Sequence, residues 1–285
     1  MGKLRLRWWA LLSRLERLIA IQVVLFAIFG ILSLTGISLY TYFELSSSLS
    51  AFLFKPWSLV TYAFLHHDLW HLIFNMLWLY YAGQFFLNFF DFERLFTLFL
   101  LGVVFAGLTY LAAYNVIPSF STINSAMVGS SAGVMAVLIF MATYSPNQPI
   151  QLLFFRLKLW HLGVFFVLID LLQLTSGVNF GGRLAHLTGA GIGFFSASQL
   201  LKGNDVTEGF QRLVSRLLNS SSATSSRPRK SPFSFTVHKG ASTSSKKSNP
   251  PTDQERIDAI LDKISASGYD SLSADEKAFL FKKGS

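Results

Sequence analysis

A polytopic helical membrane protein is the fold class that the sequence predicts, and three observations predict it. The chain of 285 residues is 52% hydrophobic but only 14% charged, against roughly a quarter charged in soluble globular chains. Phe alone occurs 29 times, more than a water-facing surface tolerates. The apolar residues gather into runs, and the charges lie mainly outside them. The expected architecture is all-α and integral to the membrane. It is a bundle of six transmembrane helices with a cytoplasmic tail that carries a small helical segment.

About 20 apolar residues cross a bilayer as a helix. Six segments approach that length, 18–40, 69–89, 95–114, 127–144, 158–174 and 184–201. The first, Leu18 to Tyr40, is longer than a signal-peptide core of roughly 7–15 residues and lacks a small-residue cleavage site, so it is expected to persist as a span. The connection 41–68 carries only Glu44, Lys55 and Asp68 as charges. It is too apolar for a solvated loop and is expected at the interface or partly in the membrane, where Trp57 and Tyr62 sit favourably. No internal repeat is visible, which argues against transporters built by duplication.

The formal net charge of +9 is informative through its placement. Lys3, Arg5, Arg7, Arg14 and Arg17 cluster at the N-terminus, and more basic residues follow residue 201. Cytoplasmic loops collect Lys and Arg. With the N-terminus inside, Arg94, Arg156, Lys158 and the tail also fall inside, while only Lys55 and Arg183 fall outside. A multi-pass protein of the plasma (inner) membrane is therefore expected, with both termini cytoplasmic and lipid as a partner. The charge is read as orientation in the bilayer, and nucleic acid is not an expected partner. The absence of cysteine excludes disulfides, thiolate zinc sites and a cysteine nucleophile.

Four regions follow: a basic segment 1–17, a six-span domain 18–201, a flexible Ser/Lys/Pro-rich linker 202–251 and a small helical segment 252–285. The stretch Asn219 to Pro251 cannot bury enough apolar surface to order itself. Beyond it, Ile257, Ile260, Leu261 and Ile264 share one helical face, and Ser273 with Glu276 has the form of a capping box. This segment is too short to be stable alone and is expected to dock on a partner that the sequence does not name.

Three constellations carry chemistry. Gly129-Ser130-Ser131-Ala132-Gly133 opens the fourth span. It reads either as a small-residue helix contact or as a nucleophile, Ser131, whose small neighbours let a substrate backbone approach. His186 lies in the sixth span, where an ionisable side chain is functional by default. Gly189 and Gly193 let that helix pack tightly on a neighbour. A contact with the fourth span brings His186 toward Ser131, where a neutral imidazole takes the serine proton and later delivers it to the leaving amine. His71 and Asn75 lie four residues apart on one face of the second span. Both donate hydrogen bonds, which suits a developing oxyanion or a tether for the apolar loop. The second, fourth and sixth spans all run from outside to inside, so His71, Asn75, Ser131 and His186 share one depth near the outer surface. That shared level favours an active site over unrelated packing residues.

His66, His71-x-x-x-Asn75, Gly129-x-Ser131 and Ala185-His186-x-x-Gly189-x-x-x-Gly193, in this order over residues 18–201, resemble the rhomboid intramembrane serine proteases. The resemblance implies a six-helix rhomboid-like bundle and a Ser131–His186 dyad without an aspartate. It also implies an oxyanion site of His71, Asn75 and the Ser131 amide, with Gly129, Gly189, Gly193 and His66 in support. The connection 41–68 would be the family's membrane-embedded first loop, and substrates would enter laterally from lipid. The implied activity is cleavage of single-span transmembrane proteins near the outer membrane face. A catalytically silent rhomboid-like protein that binds membrane helices is the alternative, and a transporter or channel comes third. Three positions depart from the family pattern: Met135 where an aromatic often stacks on the histidine, Trp57-Ser58 for a Trp-Arg pair, and Ala132 for glycine. None removes a catalytic group.

No cofactor or metal is expected. His67-Asp68-Leu69-Trp70-His71 superficially resembles a zinc motif, but it lacks the general-base Glu and a third ligand. Asp170 in the fifth span is costly to bury unpaired. Arg183 is its expected partner, in a role read as structural rather than catalytic. His161 is expected at the interface near Trp160 and Lys158.

Overall fold

The computed structural model describes residues 11–120, 123–152, 155–174, 179–219, 253–267 and 271–283. Lys3, Arg5, Arg7 and the expected linker between 220 and 252 lie outside the described residues. The described residues fall into two compact units, Met1–Thr224 and Ser225–Ser285.

The first unit contains six long helices, α1 (Arg14–Leu34), α2 (Leu69–Leu87), α3 (Phe92–Val116), α4 (Ser131–Tyr144), α5 (Leu159–Leu174) and α6 (Phe180–Leu201). Each overlaps one of the expected spans. By length and composition α1 and α3 are apolar and long enough to cross a membrane, and α4 and α5 are shorter apolar helices. At 19 and 22 residues α2 and α6 have the length, but they carry His71, Asn75 and Gln84, or Arg183, His186 and Gln199, among their apolar residues.

Local chemistry sets the helix ends. Ser13 and Glu16 form a capping box that starts α1, four residues earlier than its hydropathy suggests because the cap satisfies amides that the first turn leaves open. The same helix stops at Leu34, short of the expected Tyr40. Gly36 has φ +83°, and the Gly36 and Ile37 amides donate to the Ser33 and Leu32 carbonyls at 3.1 Å, a left-handed cap that glycine accommodates without strain. Asp68 and Asp91 cap α2 and α3 through the amides of His71 and Arg94 at 2.8 and 2.7 Å. Asp68 thus has a capping task within the stretch that superficially resembles a zinc motif.

The bundle is built around α4, which is buried from Ala132 through Ala142. A helix apolar all round needs neighbours on every side, and α2, α3, α5 and α6 supply them, with α6 making the largest interface. Gly189 and Gly193 explain that closeness: a Cβ added there would lie 2.1 Å from the Ala132 carbonyl oxygen and 2.2 Å from that of Ala136. The outer helix α1 packs on α2, with Leu15 filling the space over Gly83. Its Ile21, Val23, Val24, Ile28 and Ile31 remain exposed, an apolar surface suited to lipid.

Connection 35–68 is a chain of short helical turns at 40–43, 49–54, 58–61 and 62–64. Although Trp57-Ser58 stands where the family often has a Trp-Arg pair, the segment is anchored by hydrogen bonds. The Trp57 indole donates to the Tyr42 carbonyl at 2.8 Å, Thr61 Oγ1 to that of Phe43 at 2.7 Å, and the Tyr62 hydroxyl to that of Val103 at 2.8 Å. Two short sheets qualify the all-α expectation. β1 (Leu45–Ser46) pairs antiparallel with β2 (Ala126–Met127), and β3 (Pro149–Leu152) with β4 (Phe155–Lys158). Both satisfy backbone groups where the chain passes between helices. At the second sheet His161 stacks on Trp160 and accepts from the Lys158 amide at 3.0 Å.

A seventh helix, α7 (Glu208–Asn219), lies within the segment expected to be a linker and packs on α3. Val214 and Thr207 are buried there, and Arg94 pairs with Asp205. Burial works to raise the Asp205 pKa, but hydrogen bonds from Thr207 and the Arg94 charge outweigh it and hold the carboxyl below its usual range. Its apolar residues Phe210, Leu213, Val214 and Leu217 recur at the spacing of one helical face, a period that the linker boundary at residue 202 overlooked.

The second unit contains α8 (Asp253–Ser267) and α9 (Ala274–Lys283). Ile260 and Leu272 are buried, and both bonds of the Ser273–Glu276 box form, at 2.7 and 3.3 Å. The Lys263 ammonium, 2.9 Å away, and the Ser273 amide bring the Glu276 pKa down to about 2. A depressed carboxylate stabilises the fold above its ordinary pKa and loses that contribution as pH falls through the folded value. Glu276→Gln is therefore expected to speed amide exchange in α9 at pH 7 and to leave it unchanged near pH 2. Equal exchange in the two proteins at pH 7 would refute the pairing.

Candidate active site

Ser131 is the first residue of α4. The first amides of a helix have no acceptor within it, and the ladder begins only with the Val134 amide donating to the Ser130 carbonyl at 3.0 Å. The Ser131 N–H therefore stands open beside its own hydroxyl. The strand before it is fixed on both sides, by the β1–β2 pairing and by the Gly129 amide donating to the Tyr62 carbonyl at 3.0 Å.

Gly129 has φ +115°, and a Cβ there would lie 2.7 Å from His71 Cε1 and Nε2. The missing side chain makes room for the His71 ring. Gly133, the other glycine of the motif, leaves room for the Phe99 ring. His66 is fully buried and meets His71 edge-on, with ring centroids 5.1 Å apart. The Tyr40 hydroxyl donates to the His66 carbonyl at 2.9 Å, which ties the loop to this corner. Buried Asn75 donates one amide hydrogen to the His71 carbonyl at 2.9 Å and keeps a second.

Two cavities meet here. One of about 420 Å³ is lined by His71, Ser125, Met127, Ser131, Arg183 and His186, among others. The other, about 430 Å³, lies between α2, α4 and α5, with Phe74, Trp78, Val134, Leu138, Phe165 and Phe166 in its wall. His71, Ser131, Arg183 and His186 border both, and Asn75 and Met135 border the second. The structure thus brings His71, Asn75, Ser131 and His186 to one place. No hydrogen bond joins Ser131 to His186 among the described residues. Such bonds are often long in substrate-free sites and tighten once substrate is bound.

Asp170 is where the sequence reading fell short. The residue is 1% exposed and its carboxylate accepts from the expected Arg183 Nη1 at 2.9 Å, but both of its oxygens also lie 3.1 Å from His186 Nδ1. An ionisable residue within an apolar helix is the available signal, and pairing it with Arg183 alone leaves its second partner unread.

The rhomboid domain model matches residues 53–203, more than half of the chain. The chain belongs to the rhomboid family. This rhomboid is also 27% identical over 157 residues to RHOMBOID-like protein 12, mitochondrial, of Arabidopsis thaliana, an alignment covering 51% of this chain and 47% of that protein. The chain thus matches about half the length of that relative. Residues 246–282 match a family of unknown function (DUF6576). Family membership makes this a membrane protein, and the match includes His66, His71, Asn75, Ser131, Asp170 and His186.

Proposed function

We propose that this rhomboid is an intramembrane serine endopeptidase that hydrolyses peptide bonds in single-span transmembrane proteins near the outer membrane face. One observation carries the reading: a polar cavity and an apolar cavity meet at Ser131, His71 and His186. The apolar one offers room for an unwinding substrate helix, and the polar one a route for the water that completes hydrolysis. Ser131 Oγ attacks the scissile carbonyl, and His186 takes its proton and returns it to the leaving amine. The Ser131 amide, the His71 ring and the free Asn75 amide hydrogen are the donors for the oxyanion.

In this reading all six long helices cross the bilayer and both termini are cytoplasmic, as the distribution of Lys and Arg favours. α2, α4 and α6 then enter from outside, which sets the site shallow. Phe74 and Phe165, each 55% exposed, face lipid beside the apolar cavity, which supports lateral entry between α2 and α5. The alternative is a helix-binding rhomboid without catalysis, favoured only by the missing Ser131–His186 hydrogen bond.

Labelling of the purified protein by a fluorophosphonate serine-hydrolase probe tests the proposal without a known substrate. Wild type is expected to label, and His186→Ala to label more slowly by roughly 100- to 10,000-fold, the usual worth of a general base. Equal labelling in the two folded proteins would remove His186 from the mechanism.

A further inference from the structure

We infer that Asp170 is a positioning residue for His186, holding its imidazole in the tautomer and orientation that Ser131 needs; the inference rests on the reading of His186 as general base. A carboxylate paired with a guanidinium offers only acceptors. The nitrogen lying 3.1 Å from both Asp170 oxygens must therefore carry a hydrogen. With Nδ1 as the donor, Nε2 on the opposite edge of the ring keeps its lone pair and is the nitrogen left to take the proton of Ser131, which borders the same cavities. A neutral imidazole free to choose would spend part of its time with the proton on Nε2, where it cannot act as a base.

The rest of the surroundings agree. Asp170 comes from α5 and His186 from α6, so the contact fixes the ring against a separate helix. The carboxylate is almost wholly buried, and a buried charge is costly unless it is paired and hydrogen-bonded. Arg183, one helical turn before His186, supplies that pairing at 2.9 Å. His71 from α2 is the other histidine in the wall of the apolar cavity and offers no anion, while Asp68, a carboxylate in the wall of the polar cavity, is engaged in capping α2 through the His71 amide. Among the described residues no aromatic ring stacks on His186, and Met135 is the side chain on α4 nearest in sequence to that task. The orienting contact comes from a carboxylate instead. The serine proton moves to Nε2 and returns to the leaving amine, while the Nδ1 proton stays where it is and Asp170 steadies the imidazolium formed in between.

The test uses the full chain in detergent micelles with nitrogen-15-labelled histidine, His186 being assigned by its loss in His186→Gln. Long-range proton–nitrogen correlation at pH 7 reads the tautomer directly. Wild type is expected to show His186 protonated on Nδ1. Asp170→Asn, whose amide either donates or accepts, is expected to give a mixture, with kcat down roughly 100- to 10,000-fold and KM within about twofold. An Asp170 that only pairs with Arg183 would leave the tautomer unmoved. A wild-type His186 protonated mainly on Nε2 overturns the inference, and this measurement needs no variant to fold. An unchanged tautomer and kcat in folded Asp170→Asn overturns it equally. A tautomer that shifts in Asp170→Asn, in a wild type that neither cleaves nor labels, upholds the positioning and defeats the protease reading alone.

Discussion

Replacing Ser131 with alanine is expected to abolish hydrolysis and leave the bundle intact. Loss of a serine nucleophile in a site of this kind lowers kcat on the order of 10,000-fold or more, because no neighbouring hydroxyl takes its place. Ser130, the adjacent candidate, is fully buried and borders neither cavity. The structural cost of the change is small. Ser131 is only half-buried, its hydroxyl makes no hydrogen bond among the described residues, and alanine is the better helix former at an opening position. The unfolding free energy in detergent should therefore match wild type within about 0.5 kcal/mol, the usual range for a change away from the core. Cleavage of a single-span substrate in proteoliposomes reads the activity. Residual cleavage above a tenth of wild type would mean that another group is the nucleophile.

Gly189→Val is expected to have the largest effect on stability. The Cβ alone would lie 2.1 Å from the Ala132 carbonyl oxygen and 2.9 Å from its carbon, and these are backbone atoms of α4 that cannot rotate away. α6 must then retreat from α4. Overpacking of this kind costs about 3 kcal/mol or more, and membrane helices have little besides close packing to hold them together. Activity falls as well, because α6 carries His186 and α4 carries Ser131. Gly191→Ala is the control: a Cβ there meets nothing within 4 Å, so only a small gain in helix propensity is expected. Reversible unfolding in mixed micelles compares the two. If Gly189→Val proves as stable as Gly191→Ala, the close approach of the two helices is wrong.

These predictions depend on features of different legibility. The Gly189 and Gly193 contact was readable because small residues four apart on an apolar helix announce a close neighbour. The choice of α4 as that neighbour followed from the second Gly-rich segment. Gly129 was legible as special, but its neighbour was not. That it clears space for a histidine 58 positions earlier, His71, is a matter of three-dimensional approach.

Composition and pattern by themselves determined that this chain is a helical membrane protein, where its apolar helices lie, and which histidines and serine are out of place in them. The physical reason is that lipid admits backbone only with its polar groups satisfied, as helix or closed barrel. Long unalternating apolar runs suit only the helix, and each polar side chain within such a run is an exception. Tertiary structure alone decided what those exceptions touch. Asp170 could be paired with Arg183 from the sequence, since opposite charges seek each other over any short connection. Its second bond, to His186 Nδ1, depends on how α5 leans against α6. Side-chain direction at a helix contact is set by packing angles that no local pattern encodes. For α7 the apolar face is periodic in the sequence, but its seat on α3 and the Arg94–Asp205 pair are tertiary.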